Sequence, residues 1–544
     1  MNLLFESWIP TRRISGTRQW IAPWQLTEGI DSDPIIALDY ARPDLSGSMA
    51  QFLIGLLQTI TPDLADEDDW WDHYESPPSP QALREWLAPW ALAFELDGDG
   101  PRFMQDFDAG IATGEPESIS GLLMDAPGGN TLKLNTDHFI KRDGLRQLSP
   151  ELAAAALFSL QLNAPSGGQG HRTSLRGGGP LTTLVQIDPR QPDASLWRSL
   201  WLNVLDWSRF SGRFDCEQPQ QPCADIFPWL AATRTSNLKA GGVSTTLEDV
   251  HPLQMYWGMP RRIRLDFAHT TNGDCDLGGP GGDALLCGYH TKNFGINYDG
   301  PWQHPLSPHY FDKQGTPMPL HASPAGLQYR HWLGLVQSGP KSSAARVVSR
   351  FFGERRDFSG QFSLWAFGYD MDNMKARGWH EARLPLYPLP DPTALQSFEN
   401  NVAMLVEAAV EVRGYLQSAV KQAWFKRPGD AKGDTGAIDL AFWRASEADF
   451  YAALDSLHAA LTSGAESVEA REALRKRWYD DLRGCAKAQF DHWATRGDAS
   501  ADNLQRIALA RRTLLGKLNG KPLRKKLDIS TKTTQPQGGE HATA

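Results

Sequence analysis

The chain has 544 residues, with 64 Asp and Glu against 54 Lys and Arg, and its net charge of −10 argues against a free-standing nucleic-acid binder of the usual basic kind. Apolar residues make up 41% and charged residues 22%, enough for a sizeable core and, at roughly 150 residues per domain, for three or four domains. Five scattered cysteines argue against a disulfide framework, no run of apolar residues is long enough to span a membrane, and the opening MNLLFESWIP lacks a signal's basic and apolar regions, so the sequence reads as cytoplasmic.

In chain order, SGSMAQFLIGLLQTI (46–60) has a helical pattern. The acidic run DLADEDDWWD (63–72) reads as a solvated face rather than a metal site. LSPELAAAALFSLQL (148–162) carries helix-start signals: Ser149 caps, Pro150 fits the first turn and Glu151 suits the positive end of the dipole. Glycine-rich stretches at 165–179 and 277–282 read as loops, and PLTTLVQI (180–187) as a strand. The proline-rich LPLYPLPDP (384–392) suits a domain boundary. Beyond it, Leu395, Phe398, Val402, Leu405, Ala409, Val412 and Leu416 fall on one helical stripe, and further helical patterns follow near 437–462, 465–495 and 501–518. The expected fold is α+β: a mixed α/β domain over 1–388, a four-helix bundle over 389–528, and a disordered tail over 529–544.

The marks of catalysis are missing. There is no GxxxxGK[ST] loop to cradle a triphosphate, no HExxH, no His-Asp dipeptide and no GxSxG. No catalytic residue, cofactor or metal ligand is therefore expected, although a nuclease built from scattered carboxylates stays open as an alternative. Cys275, Cys287 and His290 lie near each other in sequence without completing a four-ligand zinc set.

Five segments in order, NLLFESWIPTRR at the start, LRGGGPLTTLV (175–185), HPLQMYWGMPRRIRL (251–265), NYDGPWQHPLSPHY (297–310) and the closing helices, resemble the family of large subunits of the type I-E CRISPR complex Cascade, the CasA family. In many members a CxxC pair stands where this chain has CDLGG, with Gly278 in place of the second cysteine, so a zinc site is not expected to carry over. The resemblance implies a non-catalytic subunit that reads the short motif beside a DNA target, helps open the duplex for guide pairing and recruits a helicase–nuclease effector. The implied partners are the other Cascade subunits, the guide CRISPR RNA, double-stranded target DNA and that effector, with no membrane. A purely structural scaffold is the runner-up.

Carried over by position, the resemblance implies three sets of contacts. The loop DHFIKRDGLR (137–146) would present Phe139 to DNA, with Lys141 and Arg142 on phosphates. Gly167, Gly168 and Gly170, lacking side chains, would let backbone approach the minor groove, and His171, Arg172 and Arg176 lie close enough in sequence to reach phosphates. Lys292 would donate to minor-groove acceptors, and Asn373, beside the apolar Met374, would act as a wedge at the first base pair. The run RRTLLGKLNGKPLRKK (511–526), with seven basic residues and no acid, either steers a displaced strand or is a solvated helix end. With a net acidic chain, DNA affinity is expected to be weak alone and strong only in the assembly.

Overall fold

In the first part of the chain, Pro43 and Asp44 start helix α1 (Pro43–Ile60), which is buried on nearly every face. Its Phe52 meets Trp8, Phe94, Phe103, Phe158 and Trp257 edge to face, with ring centroids 5.2 to 6.1 Å apart. Much of the chain's Trp content is spent in this way: Trp8, Trp70, Trp197, Trp201, Trp229 and Trp257 are among the largest fully buried side chains. Ser48 of α1 bonds Ser159 (2.9 Å) of helix α3 (Pro150–Asn163). Ser149 caps α3 through Leu152 N–H, as its sequence signals indicate.

These coordinates are a computed structural model. It describes residues 1–127, 133–134, 144–168, 170–212, 214, 216–353, 360–372, 374–430, 435–496 and 501–529. The fold is α+β. Among the described residues the strands form two- and three-stranded sheets rather than one continuous sheet. Three strands matter most here: β1 (Thr182–Ile187), β4 (Phe362–Asp372) and β5 (Lys375–Leu386) form an antiparallel sheet ordered β5-β4-β1. A second antiparallel pair joins β2 (Arg262–Leu265) to β3 (Gly288–Lys292).

The acidic run is explained by helix α2 (Glu67–Glu75). Asp66 accepts from the Asp68 and Asp69 N–H groups, and the Asp69 carboxylate accepts from Ala65 N–H at 2.8 Å. The acids thus cap a helix whose Trp70 and Trp71 are buried.

The chain divides into two compact units: one holds Met1–Leu327, Gly334–Gly353 and the segment ending at Leu386, the other Gln328–Leu333 and the chain from Tyr387. The second unit is helical, with α4 (Pro392–Trp424), α5 (Gly436–Thr462), α6 (Val468–Ala494) and α7 (Ala501–Leu518). Asp391 caps α4 by accepting from Thr393 and Ala394 N–H. Phe398, Val402, Leu405, Ala409, Val412 and Leu416 are buried along one face of α4, whereas Leu395 is half-buried. Tyr329, from the short Gln328–Leu333 segment, stacks on Phe450 at 4.3 Å and bonds Ser446 at 2.9 Å. No sequence pattern marked that segment as part of the helical unit. The tail beyond residue 529 lies outside the described residues.

Candidate nucleic-acid interface

The glycine-rich segment leaves the C-terminal end of α3 and folds back on it. Ser174 N–H donates to Ala164 O (2.8 Å) and Gly179 N–H to Asn163 O (3.0 Å), so carbonyls that a helix end leaves open are satisfied. Between these anchors the chain turns tightly, with Gly167 N–H on His171 O (3.1 Å) and His171 N–H on Gly168 O (2.9 Å). Gly168 (φ +68°) and Gly170 (φ +86°) adopt the left-handed conformation that side chains disfavour. Among the described residues a Cβ on Gly168 would meet nothing within 4 Å, whereas one on Gly170 would lie 2.9 Å from the Phe294 backbone nitrogen. The turn is therefore open on one side and pressed against the chain on the other.

What it presses against is the loop that follows β3. Phe294 N–H donates to Gly170 O at 2.8 Å, and Phe294 is itself left-handed (φ +64°). The next residue, Gly295, comes so close to Pro260 that a Cβ would sit 1.9 Å from its carbonyl oxygen. Lys292 ends β3 two residues before Phe294 and pairs across the ladder with Arg262. Two cations facing each other repel, and carboxylates offset this. Asp108 lies 3.7 Å from Lys292 Nζ and 3.6 Å from Arg262, and Arg262 also grips the buried Asp106. Lys292 Nζ donates to Gly110 O at 3.0 Å as well, and its side chain is 41% exposed.

The far end of the glycine segment runs under the β4–β5 hairpin. A Cβ on Gly179 would lie 2.6 Å from that of Tyr369, and one on Gly178 would lie 3.5 Å from the Met371 methyl. The hairpin turns between Asp372 and Lys375, and Met374 in the turn is left-handed (φ +67°) and 57% exposed. Arg377 braces the tip through a fork onto Asp370 (2.7 and 2.8 Å) and a bond to Asp372 (3.3 Å). Near the hairpin tip the Tyr369 hydroxyl donates to Asp44 of α1. Burial and that carboxylate hold the phenol well above its ordinary pKa.

The structure thus brings Gly167, Gly168, Gly170, the loop after Lys292 and the hairpin carrying Met374 onto one segment. Phe139, Lys141, Arg142 and Asn373 lie outside the described residues. The described end of the 137–146 loop is anchored: Arg146 and Gln147 N–H both donate to Asp276 (2.7 and 2.9 Å), lowering that carboxyl's pKa. Next to it, the Cys275 thiol accepts from Ser149 N–H at 3.3 Å, and Cys287 contacts the Thr271 hydroxyl at 3.3 Å. Among the described residues no three His, Cys, Asp or Glu side chains are gathered as a metal ion requires.

Arg176 corrects its sequence reading. It is buried, its guanidinium bonds Thr182 (3.1 Å), Ser307 (3.0 Å) and Gln51, and burial lowers its pKa to about 9. It fastens β1 to α1 and faces no solvent. The basic run is also partly spent: Arg511 forks onto Asp491, Lys526 pairs with Glu411, and Lys517 and Arg524 lie over Tyr415 and Tyr479. Arg512, Lys521 and Lys525 remain exposed.

Sequence reasoning did not single out Asp108, Arg261, Arg262 or Phe294. The adjacent Arg261 and Arg262 ahead of an alternating strand were the available signal; Asp108 and Phe294 carry none, because only the fold brings them here.

Comparison with known proteins shows what shares this fold. A family model described as CRISPR-associated protein Cse1 matches residues 2–488. The Thermus thermophilus CasA (Cse1) structure aligns with a TM-score of 0.68 at 18% identity, covering 95% of this chain and 99% of that one. Thermobifida fusca Cse1 aligns at 0.69 and 17%, covering 98% and 99%. A chain of a CRISPR RNA-guided surveillance complex aligns at 0.62 and 14%, covering 95% and 99%. At these identities the structural likeness speaks to the fold.

Proposed function

This chain belongs to the CRISPR-associated Cse1 family, and from that premise we propose that it is the non-catalytic large subunit of an RNA-guided surveillance complex, reading the motif that flanks a DNA target. The observation that supports this reading is that the loop after Lys292 packs on Gly170 and strand β4, through Tyr369 and Met371, packs on Gly178 and Gly179 of the same glycine-rich segment. Related folds occur in a CRISPR RNA-guided surveillance complex.

Each part has a physical role in this reading. Gly167, Gly168 and Gly170 let backbone approach the minor groove, whose degenerate pattern suits tolerance of several flanks. Lys292 donates to acceptors on the groove floor. The hairpin tip, Asn373 with Met374, enters the base stack beside the flank and starts duplex opening. Phe139, Lys141 and Arg142 make a second, sequence-independent contact with the backbone. The partners are the other Cascade subunits, the guide RNA, the target duplex and the helicase–nuclease effector. We take 1–388 as the DNA-facing domain, 389–528 as the bundle and 529–544 as a tail. Because the chain is net acidic, its grip on DNA is local and depends on the assembly.

The test is reconstitution of the complex with and without this chain. Its omission is expected to weaken binding of an intact target duplex strongly and binding of a pre-melted target little. Equal duplex affinity in both preparations contradicts the reading.

A finer prediction concerns Asp108, which competes with DNA for Lys292. Asp108→Asn keeps the turn-forming bond to Gly110 N–H but removes the charge beside Lys292. Duplex affinity of the complex should rise about two- to fivefold at low salt, the size expected of an exposed ion pair, and the gain should shrink at high salt. Unchanged or weaker binding in a low-salt titration counts against a groove role for Lys292.

A further inference from the structure

Two adjacent arginines at the start of β2 are treated differently by the fold. Arg262 is compensated by Asp106 and Asp108. Arg261 forms no ion pair among the described residues, although the chain holds 64 acids. Its backbone N–H donates to Gln161 Oε1 (2.9 Å), one guanidinium nitrogen donates to Pro165 O, and its Nε is buried with no acceptor among the described residues. A half-buried guanidinium without a counter-charge is costly, and an anion supplied from outside removes that cost. Arg176, also lacking a carboxylate, is a different case: it is fully enclosed and meets three acceptors.

The surroundings of Arg261 fit an oxyanion. A Cβ on Gly167 would lie 3.0 Å from Arg261 Nη1 and 2.7 Å from His171 Cβ, so the turn packs its backbone closely on the guanidinium, and a Cβ on the adjacent Gly168 would meet no described atom within 4 Å. Arg172, from the same segment, donates to Ser236 Oγ (2.7 Å) and Ser236 O (3.2 Å) and likewise meets no carboxylate among the described residues. Burial, and after it the nearby Arg261, lower the pKa of His171, and burial alone brings Arg261 itself down to about 10, as expected of a desolvated cation.

We propose that Arg261, packed against the Gly167–Gly168 turn without a counter-charge, is a phosphate-binding residue that holds one phosphodiester of the DNA backbone at the glycine turn. The proposal rests on the DNA-reading function above and adds to it the group that fixes the register of the turn on the duplex. Guanidinium suits this task, because its planar fork matches two phosphate oxygens. Such a contact carries no sequence information, so it serves every flank equally.

The experiment is a salt titration of target-duplex binding by the complete complex carrying wild-type chain, Arg261→Gln or Arg261→Lys, with the complex lacking the chain as control. For Arg261→Gln the slope of log K against log salt should become shallower by about 0.9, one phosphate contact, with the same loss for every flanking sequence. For Arg261→Lys the slope should stay as in wild type while affinity falls, because the fork is lost. A residue that only props the loop would shift the melting temperature and leave the slope alone. An unchanged slope in Arg261→Gln overturns the proposal; if that variant does not fold, wild-type affinity in Arg261→Lys overturns it. If omitting the chain changes nothing, the DNA-reading function fails instead, so the two failures are distinguishable.

Discussion

Phe52→Ala is expected to destabilise the first unit by about 3–5 kcal/mol, the range for emptying a large aromatic site in a packed core. Five aromatic rings point their edges or faces at this one side chain, and α1 cannot move inward to refill the space. Gly47 and Gly55 show why: a Cβ on either would already lie 2.9 Å from Phe367 and Trp379, or from Tyr256. The consequence reaches the candidate interface, because α1 also supplies Asp44 to Tyr369 near the hairpin tip and Gln51 to Arg176 under β1. Denaturant unfolding of the purified chain should therefore show an early first transition, and the assembled complex should lose duplex affinity in parallel. Phe52→Leu, which keeps most of the volume, should lose much less of both. An unfolding midpoint unchanged in Phe52→Ala would mean that this cluster is not the organising core.

The elements with strong local signals were legible in the sequence. Ser149-Pro150-Glu151 announced α3, and Asp391-Pro392 announced α4, because caps and proline act within one turn. The stripe from Phe398 to Leu416 was legible because a helix repeats its buried face at a fixed period. The seat of Tyr329 among the helices was not, since Gln328–Leu333 belongs to them only through contacts distant in sequence. The interface divides the same way. The glycines at 167, 168 and 170 marked a turn, and Gly168 and Gly170 are left-handed in it, but that Gly170 O meets Phe294 N–H is visible only in the fold. The acidic run 63–72 does face solvent, with Asp63, Asp66, Asp68 and Asp72 exposed, although its capping of α2 was not read, whereas Arg176 looked available until the fold enclosed it. Composition registers charge; it does not say which charges a fold has already paired.

Gly168→Asp separates recognition from support more cleanly than any other single change. At φ +68° with nothing within 4 Å of the new Cβ, an aspartate meets no clash. Asp is among the residues that tolerate the left-handed region, so the backbone cost is about 1–2 kcal/mol and the fold should survive. What changes is charge: a carboxylate stands where the turn would face the phosphates, and like charges set against each other cost several kcal/mol, so duplex affinity should fall at least about tenfold. The decisive measurement is the affinity of the complex, with wild-type chain or Gly168→Asp, for duplexes that differ only in the flank, alongside a pre-melted target. The account predicts that the variant complex assembles and binds the pre-melted target nearly as wild type does, but binds every duplex weakly and ranks the flanks much less sharply. A variant that binds each duplex with wild-type affinity and ranks the flanks as before contradicts it, because the glycine turn would then only connect α3 to β1.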